Sequence, residues 1–503
     1  MIQQIDYFVI APPLVLAVIA GLVLLLDAFL PARPRTKTTL GTVTLAGVLI
    51  SLGFVIAQTV RGGGGQTFCV PPHLATDGAL CSFVADGFTL VFAGLVLVAA
   101  VVVILMSMTE LAGGGIPVGE WYFLLLCTLV GAVTLPASRD LIMLVVALEL
   151  VSLPVFALTA LKRYDGRSSE AAVKLFVVSV VSTAIMLFGV SLLYGIAGTV
   201  FLSRLAAVFS GQIPAPGTAL PADQGMPAVV TVGVVLVVAG FAFKIAAVPF
   251  HSWAADVYQG APLPVAALLS VISKATGFAG LILILVTALA GQAATWTPII
   301  AIISALTMTV GNLLALRQRS AVRLLAWSSV AQSGYILAPL AVAAPGAIGA
   351  STAYLVIYAA MNLGAFTVVM LVSRTAPRNE LDDYRGLVHR SRAAGIALAF
   401  CLVCLAGLPP GLAGLFAKVF VFREIIEGGT GWLALVMAVN TVIGLYYYAV
   451  WTARLFTPET GRAPALHRPS PAIWPAMGVA VVAAILFSIA PQLVLDMTAL
   501  STR

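Results

Sequence analysis

FAFKIAAVPFHSWAADVYQGAPLPVAALLSVISKATGFA, residues 241–279, decides how this chain is read. Lys244 and Lys274 sit inside runs that are otherwise hydrocarbon, and Pro249 and His251 follow soon after the first of them. A charged side chain at the centre of a bilayer costs about 2.5–3.5 kcal/mol on insertion scales. Proline removes a backbone hydrogen bond and clashes with the preceding turn, so the helix that carries Lys244 is expected to break. Such a break is tolerated at membrane depth where it is buried or lines a wet cavity. Buried cations beside a broken helix point to movement of charge across a membrane.

Three more charges fit that expectation. They are Glu149 in LIMLVVALELVSLPVFAL, Lys174 in AAVKLFVVSVV and Lys418 in LAGLFAKVFVF. Burial disfavours an ammonium, and a nearby carboxylate restores it. A lysine that gains and loses such a partner takes up and releases a proton, which makes Lys plus Glu a chemical pair for a proton relay. Glu149 is near mid-depth in the fifth span and is the natural partner for a lysine there. His251 changes charge near neutral pH and can bridge between protonation states. Other roles compete: Lys174 snorkelling to the interface, Glu149 and a lysine forming a static ion pair, and His251 as a satisfied interfacial residue. Asp256 is expected to cap the loop after the seventh span, and Arg423 and Glu424 to sit at the interface.

The chain has 503 residues, 61% hydrophobic and only 9% charged. Soluble domains carry about 25% charged residues, so this is a polytopic membrane protein. The apolar runs are continuous and do not alternate, which selects helices over a barrel. Fourteen spans are expected, at about 7–30, 38–60, 83–108, 119–136, 139–161, 170–197, 227–251, 262–289, 296–316, 322–341, 346–373, 393–426, 431–456 and 471–497. Residues 201–212 read as a short interfacial helix. The first apolar run is too long for a signal-peptide core and has no basic residue before it. The net charge of +7 follows topology and carries no implication of nucleic acid.

With the N-terminus outside, the inner loops hold seventeen Lys and Arg residues, including Arg33, Lys162, Arg163, Arg323, Arg374, Arg462 and Arg468. The outer segments hold four: Arg61, Arg139, Arg204 and Arg503. This asymmetry places both termini outside. Cys69 and Cys81 share one loop, and an outward-facing loop permits a disulfide between them. Cys127, Cys401 and Cys404 lie in apolar spans and are expected to pack as small hydrophobes.

Pro409 and Pro410 interrupt the twelfth span as Pro249 interrupts the seventh, five spans apart. Paired interrupted helices point to an inverted repeat. The chain divides into 1–118, three N-terminal spans; 119–289, a first repeat of spans four to eight; 290–456, a second repeat of spans nine to thirteen; and 457–503, the last span. Lys244 precedes its proline and Lys418 follows its own, so the broken spans are matched but the residues are not.

These residues carry a resemblance. The opening stretch, with RLLAWSSVAQSGY, YAAMNLGAFTVV, DDYRGL and GLPPGLAGLFAKVFVF, closely resembles the antiporter-like subunits of respiratory complex I, the proton-translocating NADH-quinone oxidoreductase. D-V-Y-x-G-A-P, S-K-A-x-G-F-A and Lys418 look most like its N-type subunit. The likeness covers most of 139–455. One departure is Ala255, where the family usually has proline before Asp256.

The resemblance implies that Glu149 and Lys244 form the gating ion pair of a first half-channel and that Lys274 is the central relay. It places His251 in the connecting polar axis, has Lys418 pass protons outward, and gives Lys174 a function on the sixth span. The chain has no nucleotide motif, iron–sulfur cysteine set or flavin signature. The resemblance therefore puts NADH, FMN, iron–sulfur clusters and quinone in partner subunits, with the other membrane-arm subunits and the peripheral redox arm as partners. It implies a bacterial plasma membrane. A membrane subunit of a multisubunit sodium/proton antiporter is the alternative.

Overall fold

A computed structural model describes residues 5–31, 33–71, 80–162, 165–214, 227–458 and 471–499. Arg163, Arg462, Arg468 and Arg503, which enter the charge asymmetry, lie outside the described residues. Lipid cannot pair with backbone amides, so the apolar runs satisfy their own backbone and form a bundle of helices.

Among the described residues, ten helices are long and apolar enough to cross a membrane unaided, or eleven if one bent pair counts as a single span. They begin with α1 Ala11–Phe29, α2 Pro34–Val60, α3 Gly87–Leu111, α4 Val118–Thr134, α5 Leu141–Ala160 and α6 Gly166–Ala197. The short α7, Leu202–Phe209, stands where the interfacial helix is expected. The seventh expected span is two helices, α8 Pro227–Lys244 and α9 Trp253–Gly260. Then come α10 Leu263–Ala288, α11 Ala293–Ala315, α12 Ala321–Leu337 and α13 Ala347–Ser373. The twelfth span is also divided, into α14 Arg392–Ala406 and α15 Leu412–Glu427. The chain closes with α16 Gly431–Phe456, α17 Ile473–Ile489 and α18 Gln492–Thr498.

Helices stand at the expected positions, but the described residues hold ten or eleven unaided crossings where fourteen spans are expected. The fourteenth bends by 94° between α17 and α18. Pro491 stands at that bend and cannot supply the amide that would continue the helix. The loop between α2 and α3 carries a hairpin that hydropathy does not show. Strands β1 Gly65–Cys69 and β2 Cys81–Ala85 pair antiparallel, and Cys69 lies opposite Cys81, joined to it by a disulfide. Gly62, Gly63 and Gly64 all have positive φ where the chain leaves α2, a conformation cheap only for glycine. Asp86 ends the hairpin, caps α3 through the Thr89 amide and pairs with Arg139 at 2.5 Å.

Both broken spans end their first half in the same way. In α8 the Ala247 amide donates to Ala242 O and the Ala246 amide to Phe243 O, with Ala246 at φ 56°. In α14 the Leu408 amide donates to Val403 O and the Gly407 amide to Cys404 O, with Gly407 at φ 82°. Each is a Schellman turn, with one residue in the left-handed region closing the helix. Pro249 and Pro410 follow within three residues and cannot resume it, and both lie in cis peptide bonds. The break in α8 therefore begins at Lys244, five residues earlier than the proline alone suggests.

Gly407 is the residue this turn most depends on. A Cβ there would meet Lys418 Nζ at 3.2 Å while the backbone stayed left-handed. We expect Gly407→Ala to cost about 1–2 kcal/mol, seen as a lower midpoint in thermal unfolding of the purified assembly. An unchanged midpoint would mean that the turn does not hold the break.

Candidate functional site

Lys244 is the last residue of α8 and is buried. Its Nζ donates to Ser152 Oγ on α5. Ser152 lies one turn beyond Glu149, so both face the same neighbours. Glu149 accepts a hydrogen bond from Thr183 Oγ1 of α6 at 2.8 Å. Among the described residues no ion-pair contact joins Glu149 to Lys244, although the carboxylate is near enough for its charge to act on the lysine. The expected pair is therefore held apart, each charge on a hydroxyl of its own. A void of about 10 Å3 adjoins Lys244, Ser152, Ser179 and Ser273. That is close to the room for one water, which needs about 10–15 Å3 and two or more polar partners.

Lys274 follows a wide turn of α10, Leu269–Ser273, where the hydrogen-bond spacing lengthens by one residue. Wide turns of this kind are frequent at functional sites because they re-aim a side chain. Lys274 Nζ donates to Ser329 O and, at 2.7 Å, to Ser329 Oγ. Tyr358 OH donates to the same Oγ at 2.8 Å, and its ring lies 5.5 Å from the ammonium. Lys418 turns back to the end of α14, donating to Ala406 O at 2.7 Å and Leu405 O at 3.3 Å. It also lies 5.8 Å from the ring centre of Tyr335.

Tyrosines fill the space between these two lysines. Tyr335 and Tyr354 stack with ring centres 6.1 Å apart, and Tyr354 and Tyr358 are one turn apart on α13. Tyr354 OH donates to Gln332 Oε1 at 2.7 Å, and Ser328 meets Tyr448 OH at 2.5 Å. Asn312 joins Tyr335, Tyr447 and Asn440. Sequence reasoning looked for charges and missed this cluster. The available signal was hydroxyl and amide residues recurring at helical spacing inside apolar spans.

Two expected residues stand apart from the buried line. Lys174 keeps 44% of its side chain exposed and pairs with Glu170 at 2.7 Å and Asp256 at 3.0 Å. Asp256 does not cap a loop: it sits in the first turn of α9 and bridges Lys174 to Arg323, at 2.9 Å. Lys174, Glu170 and Asp256, with Arg167 and Gln259, line an open polar cavity of about 280 Å3. His251 is half-buried, its ring centre 5.5 Å from that of Trp327, and no hydrogen bond of the described residues joins it to Lys244 or Lys274.

Residues 138–444 match the family described as NADH:quinone oxidoreductase/Mrp antiporter, transmembrane. A curated relative, NADH-quinone oxidoreductase subunit N 2 of Streptomyces griseus, is 48% identical across all of this chain and 94% of its own length. NADH-quinone oxidoreductase subunit N of Salinispora tropica is 44% identical over 91% of this chain and 87% of its own. Among solved structures, a chain of respiratory complex I from Thermus thermophilus with bound aureothin is similar at 28% identity and TM-score 0.75, covering 96% of this chain and 98% of that one. A chain of the Mrp complex from Dietzia reaches TM-score 0.80 over 96% of both chains, but at 21% identity this likeness shows the fold alone. With the matched region spanning both broken helices and every buried lysine described above, the chain belongs to the NADH:quinone oxidoreductase/Mrp antiporter transmembrane family.

Proposed function

We propose that this chain is the N-type antiporter-like subunit in the membrane arm of an NADH-quinone oxidoreductase and carries protons across the membrane. One observation supports the relay most directly. Lys244, Lys274 and Lys418 are buried and held by hydroxyl and carbonyl oxygens, not by carboxylates. An amine donates to such oxygens whether charged or neutral, so releasing a proton does not orphan it. A contact pair with a buried carboxylate would lock the charge in place, because breaking such a pair costs about 3–5 kcal/mol.

In this reading Glu149 and Lys244 act as one gate, closed into contact or held apart by Thr183 and Ser152. Lys274 relays the proton, and the tyrosine cluster links it to Lys418, which passes it on. Lys174 with Asp256 forms a charged mouth for the first half-channel, and His251 lies beside the path without a fixed link in this state. The repeats 119–289 and 290–456 each contribute one broken helix. Fitting this role, NADH, FMN, iron–sulfur clusters and quinone belong to partner subunits, in the peripheral redox arm and at its junction with the membrane. The membrane is the bacterial plasma membrane, with both termini outside. The named relatives at 48% and 44% identity favour this reading over sodium/proton exchange.

Replacement of either gate residue tests the proposal. In membranes where the complex assembles, Lys244→Ala or Glu149→Ala should lower NADH-driven proton transport roughly tenfold, a change of about 1.4 kcal/mol in the barrier. Normal pumping in assembled Lys244→Ala membranes would remove that residue from the relay.

The hydroxyls give a second, independent test. A hydrogen bond to a charged group contributes about 1.5–3 kcal/mol. Ser152→Ala combined with Thr183→Val should let the gate collapse into contact and slow pumping several-fold, with assembly and lysine content unchanged. Equal turnover would show that the hydroxyls do not hold the gate open.

Tyr358→Phe keeps the ring beside Lys274 and removes only the hydroxyl. Proton transport should fall while NADH oxidation in uncoupled membranes stays near the parent rate, as measured by paired dye and absorbance assays. Equal losses in both would assign Tyr358 to packing.

A further inference from the structure

A further cavity, lined by none of the buried lysines, goes beyond the proton-transport reading. It is a slot of about 630 Å3 between α2 and α3 on one side and α13 and α17 on the other, closed at one end by α18. That volume falls within the range of about 300–1,000 Å3 typical of small-molecule sites. Its wall on α3 runs from Gly87 to Val102, fifteen residue steps, or roughly 22 Å of helix. One leaflet of hydrocarbon is about 15 Å thick, half of a core of about 30 Å. The slot therefore reaches from the end of the bundle to beyond mid-membrane.

Its chemistry changes along that length. The deep part is walled by apolar side chains and by small ones, among them Gly94, Ala360 and Ala483. A Cβ built on Gly94 meets nothing within 4 Å, so the space there is open. Polar groups gather at the shallow end, in Thr59, Asp496, Thr498 and the backbone of Gly62 and Gly63. Asp496 is exposed and gives that end a negative charge, while Arg61, between the lining residues Val60 and Gly62, turns its guanidinium to the ring of Phe8, 4.2 Å away. The flank faces outward, with Val60 81% and Ile56 54% exposed.

We infer that this slot binds one phospholipid, with an acyl chain lying along α3 and the ammonium of a zwitterionic headgroup beside Asp496. A leaflet-length apolar slot with a carboxylate at its interfacial end complements that molecule. A free fatty acid or an anionic lipid would leave Asp496 facing a like charge.

The test uses the whole purified complex in proteoliposomes containing phosphatidylethanolamine with a diazirine on the acyl chain. Photolysis should label residues 87–102 and 479–487, as well as the exposed lipid-facing surface around Val442. Gly94→Phe fills the slot and should remove most of the first labelling while leaving the second unchanged. Asp496→Asn, a surface change, should lower slot labelling several-fold and abolish the preference for this probe over the same diazirine on phosphatidylglycerol. Labelling confined to the Val442 surface would overturn the site. So would a cross-link showing a neighbouring subunit's helix in the slot, or equal labelling by both headgroups in the parent protein.

Discussion

A helix that stops inside a membrane leaves carbonyls that no water can satisfy, and the organisation of this protein follows from how two such ends are closed. The Schellman turn takes care of two carbonyls at each end and leaves the next two free. At α14 these are Leu405 O and Ala406 O, and both accept from Lys418. At α8 the second of them, Ile245 O, accepts from Ser333 Oγ at 2.6 Å, and the Val248 amide in the same break donates to Thr307 Oγ1 at 3.0 Å. A neutral hydroxyl thus caps one break and a cation caps the other. The negative end of a helix dipole also favours the cation there. Lys418 is consequently fixed by the backbone it serves, whereas Lys244 is spared that duty and turns to Ser152.

This explains the offset between the two lysines relative to their prolines. Lys244 lies in the last turn of the first half-helix, and Lys418 lies on the second half-helix but reaches back. Both ammonium groups arrive at the same structural feature by opposite routes along the chain. Thr307 and Ser333 come from the segment after residue 290 and complete the break in the segment before it. The two halves are therefore interlocked at the first break, which the later half completes, whereas the second break is closed by Lys418 of its own half.

The spans, the two breaks and the buried charges were legible because each leaves a one-dimensional mark: a run of apolar residues, a proline inside it, or a lysine without neighbours of its own kind. The family was legible from dense local motifs around Lys244, Lys274 and Lys418. What could not be read was contact across the bundle. Ser152 and Thr183 are ordinary helix residues until α5, α6 and α8 pack together. The tyrosines of α12, α13 and α16 look like bulky apolar filling until their hydroxyls meet. Asp256 looks like a loop cap because its partners, Lys174 and Arg323, are 82 and 67 residues away. The wide turn before Lys274 has no proline to announce it.

The same residue type does two jobs here, and burial decides which. Lys174 at the water edge holds two carboxylates at once, and Asp256 holds Lys174 and Arg323. Exposed pairs each contribute little, about 0–1 kcal/mol, but a shared carboxylate ties three elements together. That clasp matters for α9, which has only eight residues and follows the break. A helix so short is marginal on its own and takes its position from its neighbours. With α9 tied to α6 and α12, and α8 closed by its turn at the other side of the break, the segment 245–252 is held between two fixed helices. Lys244 stands at one edge of that segment, and His251 stands within it.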